Sequence, residues 1–213
     1  MGASLQAGAA RLGVSLDATQ LLQFERLVEQ LLRWNKAYNL TAITAPEEIL
    51  THHLLDSLSA QPQLAGTTVA DVGTGAGFPG LPLAIVNPQR QFTLIDAVDK
   101  KLRFIDHAAR ELGLGNVRTV HARVEQIRSA QAFDTVITRA FAPLPRLLGW
   151  VAPLCNARTR VLAMKGHWPP PDADAAGPLP AGWRLDAIRP VVVPGLGAER
   201  HILVLSKADL SVN

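Results

Sequence analysis

Ten residues that begin at Asp71 contain four glycines and lie between an apolar strand pattern and a helical pattern. Glycines let the backbone turn tightly, and they let a ligand lie against it without a Cβ clash. Gly75, Gly77 and Gly80 match the dinucleotide-binding pattern G-x-G-x-x-G. Gly73, Gly75 and Gly77 also give D-x-G-x-G-x-G, with Asp71 two places before the first glycine. The segment therefore predicts a ligand-binding turn, with a glycine-rich turn that binds nothing as the alternative.

The acid at Asp71 bears on which ligand this turn would hold. A carboxylate there repels a pyrophosphate, but it can pair with the ammonium group of an amino-acid moiety. This favours S-adenosylmethionine, which has no phosphate, over a nicotinamide dinucleotide. A nicotinamide-dependent oxidoreductase remains the second hypothesis, although the sequence shows no clear Tyr-Lys or His-Asp catalytic pair.

Two further stretches could complete a nucleoside site at the ends of predicted strands. Asp96 follows Gly73 by 23 residues and ends the second strand, where a carboxylate can accept hydrogen bonds from both ribose hydroxyls. Val124 and Glu125 follow the third strand, and they could read the adenine edge with a backbone N–H and a carboxylate. The alternatives are a helix cap for Asp96 and a first-turn helix acid for Glu125.

The segment after the fourth strand contains Arg139 and would face the methyl acceptor. It lacks the Asn/Asp-Pro-Pro-aromatic motif of enzymes that methylate exocyclic amines, and the lone Cys155 is interpreted as a packed thiol, not a nucleophile. An acceptor with its own lone pair, such as a purine N7, remains, and it needs no general base. Arg139 could hold the methionine carboxylate or an RNA phosphate, and Lys165, at the same edge, could reach a phosphate.

Two residue pairs on predicted helices are each spaced by one turn. His52 and Asp56 have a spacing that metal ligands can use, but no third ligand stands nearby in the sequence. We therefore expect an internal helix contact there and no metal. Trp34 and Tyr38 either stack on each other or pack separately.

From Gly66 onward, short apolar runs alternate with amphipathic stretches, which predicts a parallel sheet covered by helices on both faces. Strands are predicted at 67–72, 91–95, 117–120, 135–138 and 161–164, with helices at 81–86, 100–112, 124–129 and 145–154. A loop at 166–183 precedes two runs, 184–193 and 201–205, which we expect to pair antiparallel and close the sheet.

The chain before Gly66 predicts helices, so we expect an N-terminal helical extension at 1–65 and an S-adenosylmethionine-dependent α/β domain at 66–213. Asp17 with Gln20 forms a capping box before an apolar stripe of helical period. Thr44 with Glu47 predicts a second box, at the start of a helix that runs to about residue 60.

Composition narrows the class of protein. Hydrophobic residues are 48% and charged residues 18% of the 213, which excludes extended disorder as the dominant state. No apolar stretch is long enough for a transmembrane helix, no secretory signal is predicted, and one cysteine excludes an intrachain disulfide. We therefore expect a cytoplasmic protein. Five cations and no anion lie between Asp134 and Asp172, which suits a polyanionic partner or a merely solvated face.

Together these segments resemble the RsmG family, also called GidB, of bacterial 16S rRNA guanine-N7 methyltransferases. The glycine loop is shared by many methyltransferases, whereas Leu-Asp-Ser-Leu on the helix and Phe-Pro-Gly after the loop are far more specific. The matching stretches are Trp34-Asn35-Lys36, Asn39-Leu40-Thr41, His53-Leu54-Leu55-Asp56-Ser57-Leu58, the glycine segment with Phe78-Pro79-Gly80, Pro82-Leu83-Ala84-Ile85, Leu94-Ile95-Asp96, Lys100-Lys101-Leu102-Arg103-Phe104, Arg123-Val124-Glu125, Arg139-Ala140, Lys165-Gly166 and Glu199-Arg200-His201.

The resemblance implies a class I methyltransferase (Rossmann-like) α/β fold, in which a mostly parallel seven-stranded sheet has helices on both faces and an N-terminal helical extension. It implies methyl transfer from S-adenosylmethionine to N7 of a guanine in a conserved small-subunit rRNA loop near the decoding site, with S-adenosylhomocysteine as the product. The family's cofactor contacts map onto Gly73, Phe78, Val124, Glu125 and Arg139.

On the acceptor side, the resemblance offers Arg123, Arg139 and Lys165 as candidates. The partner it implies is 16S rRNA, either naked or in the small ribosomal subunit, and we expect a monomer with no membrane contact. A third hypothesis is a non-enzymatic RNA-binding ribosome factor, for which the cationic stretch would suffice. Labelled methyl groups that reach rRNA would discriminate the two.

Overall fold

The computed structural model describes residues 1–127, 131–139, 142–169 and 178–208, and a seven-stranded sheet lies at its centre. Across the sheet the strands follow the order β3-β2-β1-β4-β5-β7-β6. Strands β1 to β5 are parallel, whereas β7 runs antiparallel to both β5 and β6, so the predicted parallel sheet and its closing pair are confirmed. In chain order the strands are β1 (Thr68–Val72), β2 (Gln91–Asp96), β3 (Val117–His121), β4 (Thr135–Arg139), β5 (Arg160–Lys165), β6 (Trp183–Val191) and β7 (Arg200–Lys207).

Helices cover both faces of this sheet and also form the N-terminal segment. A π-helical stretch, Ile49–Leu55, joins α3 directly to α4. Within the described ranges, no helix combines the length and the apolar character needed to cross a membrane. The α-helices are α1 (Gly2–Arg11), α2 (Ala18–Tyr38), α3 (Pro46–Glu48), α4 (Asp56–Leu58), α5 (Gly80–Val86), α6 (Asp99–Glu111) and α7 (Leu144–Val151), and 3₁₀ turns occupy Gln61–Gln63, Val124–Gln126 and Ala152–Leu154.

The parallel strands bring their carboxyl ends to one edge of the sheet. Asp71 on β1 lies opposite Leu94 on β2 and Ile137 on β4, and Arg139 lies opposite Met164 on β5. The order of the strands reverses between β1 and β4, and open α/β sheets bind ligands at such a switch point. We call this edge, which carries the ends of β1 to β5, the ligand edge.

The N-terminal helices share a hydrophobic core with one face of the sheet. The predicted capping box of α2 is confirmed, because Asp17 Oδ1 accepts from the Gln20 N–H at 2.8 Å and Gln20 Oε1 accepts from the Asp17 N–H at 3.0 Å. One apolar cluster extends from Leu5 of α1 through the sheet to Val204 of β7. A second cluster covers the opposite face, beneath α7.

Two predicted helices differ from the structure, one in its cap and one in its type. The capping box of Thr44 with Glu47 is wrong, because the cap residue is Ala45 and α3 begins at Pro46, which makes Glu47 the second helical residue and not the third. Of the helix predicted at 124–129, the described part forms the 3₁₀ turn Val124–Gln126, and residues 128–130 lie outside the described ranges.

The predicted loop at 166–183 contains no helix or strand at 166–169 or 178–182, and residues 170–177 are not described.

Candidate cofactor and acceptor sites

The glycine turn between β1 and α5 depends on backbone angles that favour glycine. Gly73, Gly75 and Gly77 have φ of 71°, 61° and 88°, in the left-handed region. A Cβ on Gly77 would lie 2.5 Å from Leu81 Cδ1, so this glycine lets α5 start close to the turn. A Cβ on Gly75 would meet nothing within 4 Å, which leaves this part of the turn open.

Asp71 is fully buried beneath this turn. Its Oδ2 accepts hydrogen bonds from Thr74 Oγ1 at 2.6 Å and from the Gly80 N–H at 2.8 Å, whereas Oδ1 has no hydrogen-bond partner. Burial raises the pKa of the Asp71 carboxyl to about 6, against the opposing effect of the two hydrogen bonds. A buried acceptor without a partner is costly, so a cation at Oδ1 would be favoured.

Asp96, at the end of β2, connects the glycine turn to the start of α6. Its Oδ2 accepts from the Gly75 N–H and its Oδ1 from the Val98 N–H, both at 2.9 Å. A carboxylate has about four lone-pair sites, so each oxygen can still accept a second hydrogen bond. The alternative of a helix cap does not hold, because α6 begins at Asp99 after Val98 and has no side-chain cap.

A cavity of about 160 Å³ lies beside Asp96 and contains the predicted adenine-binding pair. Val124 is buried at its wall, whereas Glu125 and Arg123 are exposed there. Trp150 of α7 also lines the cavity. The Trp150 ring can pack against a planar base, and the Asp96 carboxylate can accept hydrogen bonds from a ribose, so the cavity suits a nucleoside.

On the other side of β1, Asp56 lies at the centre of a buried ion-pair cluster. Its Oδ2 accepts from Arg139 Nη1 at 3.0 Å and its Oδ1 from Arg200 Nε at 2.9 Å. The Asp56 side chain is 2% exposed and the two arginine side chains are 22% and 24% exposed. Arg139 Nη1 also donates to the His52 carbonyl at 2.8 Å. The cluster therefore joins the N-terminal helices to β4 and β7.

Phe78 connects this cluster to the glycine turn. The Phe78 ring stacks on His53 with ring centroids 4.5 Å apart, and the Arg139 guanidinium carbon lies 5.8 Å from the centroid of Phe78. His53 Nε2 contacts Thr41 Oγ1 at 3.0 Å. Burial, with a smaller effect of Arg139, lowers the pKa of His53 to about 4, so its imidazole is neutral at neutral pH.

The cluster borders a larger cavity of about 420 Å³ at the ligand edge. Lys165 lines it too, and the Lys165 ammonium donates to the Ala142 carbonyl at 2.8 Å. Burial lowers the pKa of Lys165. Because Arg139 is in register with Met164, Arg139 and Lys165 start from opposite faces of the sheet. The lining residues are Ile43, His52, His53, Asp56, Arg139, Met164, Lys165, Gly166 and Arg200.

The structure thus brings two of the three acceptor-side candidates together. Arg139 and Lys165 share the larger cavity, whereas Arg123 lines the smaller one. Cys155 is buried and donates to the Val151 carbonyl at 3.2 Å, and burial raises the pKa of its thiol to about 12, which confirms the packed thiol. No group of three His, Cys, Asp or Glu side chains that could hold a metal occurs in the described ranges.

Sequence reasoning missed the central residue of the larger cavity. The spacing of His52 and Asp56 predicts a contact within the helix, yet the carboxylate of Asp56 is shared by two guanidinium groups of distant strands. Arg200 and His53 were noted only as parts of matching stretches, and Trp150 was not singled out at all. The one available signal was an acid within an otherwise apolar helical segment, because such an acid requires a cationic partner when it is buried.

Solved structures with the same fold define the class. One is an S-adenosylmethionine-dependent methyltransferase from Aquifex aeolicus, with a TM-score of 0.55 and 20% identity over 76% of this chain and 94% of that chain. Another is an MtNAS mutant in complex with S-adenosylmethionine, with a TM-score of 0.56 and 14% identity over 98% of this chain and 78% of that chain. The strand order, the glycine turn and these likenesses define a class I methyltransferase fold.

Sequence comparisons narrow this class to a family. The family model described as rRNA small subunit methyltransferase G, GidB, matches residues 20–203. The ribosomal RNA small subunit methyltransferase G of Stutzerimonas stutzeri is 46% identical over 95% of this chain and 94% of its own length. The protein of the same name from Azoarcus sp. is 45% identical over 94% and 93%. The chain therefore belongs to the rRNA small subunit methyltransferase G family.

Proposed function

We propose that this chain transfers a methyl group from S-adenosylmethionine to N7 of a guanine in 16S rRNA, by direct in-line displacement and without a general base. The observation that carries the proposal is that the buried acid and the buried imidazole of the larger cavity are both engaged. A guanine N7 presents its own lone pair, whereas methylation of an exocyclic amine must also remove a proton.

The two groups are engaged for separate reasons. The carboxylate of Asp56 is shared by Arg139 and Arg200, so each of its oxygens already accepts a charge-assisted hydrogen bond. The imidazole of His53 has a pKa lowered to about 4, and its ring contacts Thr41 and Phe78. Such a cavity is suited to hold and orient an acceptor, and alignment alone can supply several powers of ten in rate.

The smaller cavity and the glycine turn fit the proposed donor. Asp71 leaves one buried oxygen for an ammonium group, Gly75 leaves open space, and Asp96 keeps lone pairs for two ribose hydroxyls. Val124 and Glu125 would border the adenine. S-adenosylmethionine supplies, when it is bound, a methyl group made electrophilic by the sulfonium, so the proposed reaction needs no metal.

The cations of the larger cavity support an RNA partner. Arg139, Arg200 and Lys165 surround one opening at the ligand edge, and guanidinium and ammonium groups are the usual phosphate ligands in RNA complexes. We propose that they hold phosphates of 16S rRNA or of the small ribosomal subunit. Arg139 lies next to Phe78 as well, so the methionine carboxylate of the donor is its second candidate ligand.

A 16S rRNA substrate with 7-deazaguanine at the methylated position tests the proposal, because this base lacks only the N7 lone pair. We expect mass spectrometry to find 7-methylguanine in the normal RNA and no transfer to the modified RNA, while both RNAs compete equally for the protein. At saturating S-adenosylmethionine we also expect a single-turnover rate that is flat between about pH 6 and pH 9. Methylation of the modified RNA, or a product methylated on an exocyclic amine, would refute the proposal.

A further inference from the structure

A group of aromatic rings lies where α2 packs against α6. Trp34 stacks on Tyr38 with ring centroids 5.3 Å apart, and its ring also lies 5.0 Å from the ring of His107 and 5.9 Å from that of Phe104. Phe104 is buried and Trp34 is half-buried, whereas Tyr38 is 43% exposed. Tyr38 therefore ends the stack toward solvent, and a ring in this position can take a further planar group.

The alignment of α2 with α6 directs two lysines toward Tyr38. Helix α2 runs antiparallel to α6, since Gln23 bonds to the Leu112 carbonyl, whereas Trp34, eleven residues later, contacts Phe104. Continuing this alignment by one helical turn brings Tyr38 toward the first turn of α6, which carries Lys100 and Lys101.

These lysines have no acidic partner among the described residues. The i,i+4 ion pair of α6 joins Arg103 to Asp99 and includes neither Lys100 nor Lys101. The surface of Tyr38, Lys100 and Lys101, which we call the tyrosine platform, thus combines an exposed aromatic residue with two lysines that form no ion pair with the described residues.

The tyrosine platform is close along the chain to both cavities. Tyr38 precedes Thr41 by three residues, and Thr41 contacts His53 in the wall of the larger cavity. Lys100 follows Asp96, which ends β2 and lines the smaller cavity, by four residues. Three and four residues of extended chain span at most about 11 and 14 Å, so the platform lies within a few nucleotides of the ligand edge.

We propose that the tyrosine platform binds a nucleotide of single-stranded RNA next to the methylated guanine, with its base stacked on Tyr38 and its phosphates beside Lys100 and Lys101. The proposal rests on the proposed function for its RNA substrate and adds a subsite to it. Stacking on an exposed ring together with lysines that contact phosphates is the usual chemistry of single-strand binding.

Exchanges at Tyr38 test the stacking. We expect Tyr38→Ala to raise the KM for small-subunit RNA by about 5- to 100-fold, with kcat and the affinity for S-adenosylmethionine unchanged. Tyr38→Phe and Tyr38→Trp should restore the KM, because both keep a ring. Leu22→Ala, at an equally exposed position near the start of the same helix, is the matched control. An unchanged KM in Tyr38→Ala, or a rise as large in Leu22→Ala, would overturn the proposal.

Exchanges at the lysines test the charge. Lys100→Gln and Lys101→Gln should each reduce the slope of log affinity against log salt concentration by about 0.7 for every phosphate that the lysine neutralises. Arg110→Gln, on an exposed position in the last turn of α6, should leave the slope unchanged. If both lysine variants have the same slope as the unaltered protein, Lys100 and Lys101 do not contact phosphates and that part of the proposal is wrong.

Cross-linking identifies the partner directly. A photoreactive benzoyl-phenylalanine in place of Tyr38 should cross-link to 16S rRNA in the small subunit, and a cross-link to a ribosomal protein alone would overturn the proposal. The two proposals fail separately. If the unaltered protein transfers no methyl group to guanine N7, the proposed function fails. If it does so and Tyr38→Ala behaves identically, only the subsite fails.

Discussion

The ligand edge has a proposed cofactor half, with Asp71, Asp96 and the glycine turn, and a proposed acceptor half around Asp56, and the two are built in different ways. In the cofactor half, Asp71 bonds to residues within nine positions, and Asp96 bonds to Gly75 on the turn after the neighbouring strand. In the acceptor half, Asp56 bonds to Arg139 and Arg200, which are 83 and 144 positions away. Asp71 and Asp96 are therefore positioned by a turn and one strand pair, whereas the ion-pair cluster of the acceptor half exists only after three distant elements have packed together.

This difference predicts how each half responds to change. A local site keeps its shape as long as its turn and strand pair form, so a substitution there should affect ligand affinity more than stability. A site assembled around one buried carboxylate contributes both to binding and to folding, because removing that carboxylate leaves two guanidinium groups without an anionic partner.

The largest effect is expected for Asp56→Ala. Loss of the shared carboxylate should lower the free energy of unfolding by about 3 kcal/mol and the Tm by roughly 6–12 °C, and it should reduce rRNA methylation as well. The matched control is Asp99→Ala, which removes the exposed Asp99–Arg103 pair and should cost less than about 1 kcal/mol. Thermal and urea unfolding measure both, and equal small effects in the two variants would contradict the comparison.

Arg139→Ala should affect activity more than folding, because Asp56 keeps Arg200 as a partner. We expect kcat/KM for RNA to fall by at least about 100-fold, which corresponds to roughly 2.7 kcal/mol, with a cooperative unfolding transition retained. Arg158→Ala, an exposed position in the same cationic stretch, should methylate normally. If Arg158→Ala is equally impaired, the overall charge of the stretch matters more than the cluster.

Asp96→Ala should change the affinity for S-adenosylmethionine and leave the acceptor half intact. We expect about 10- to 30-fold weaker binding in calorimetric titration, since the ribose loses its acceptor and the Gly75 N–H loses its partner. The Tm should fall less than in Asp56→Ala. An unchanged affinity would refute the role of Asp96 at the ribose.

The smallest effect is a pH dependence within the cofactor half. Burial raises the pKa of Asp71 to about 6, so below this pH the carboxyl holds a proton that a bound ammonium must displace. The affinity for S-adenosylmethionine should therefore fall as the pH decreases through 6, by about tenfold between pH 7 and pH 5. Asp71→Asn should bind more weakly at pH 7 with no such fall, and a pH dependence that survives in this variant belongs to another group.

Sequence patterns predicted the cofactor half with little error. The strands, the glycine turn, Asp96 and the Val124–Glu125 pair are found at the ligand edge as expected, since strand alternation and glycine spacing act over short distances. Two details were predicted wrongly. The cap of α3 is Ala45 and not the neighbouring Thr44, and the helical pattern that begins at Val124 forms a 3₁₀ turn in its described part.

By itself, the sequence determined the order of strands and helices and hence the glycine turn at the end of β1, because hydrophobic period and the tolerance of glycine for positive φ are properties of adjacent residues. Only the tertiary structure decided that Asp56 lies between Arg139 and Arg200 and that Arg123 lies at a different cavity. A buried carboxylate takes its partners from whichever cations the packing of distant elements brings within hydrogen-bond distance, and no local pattern encodes that choice.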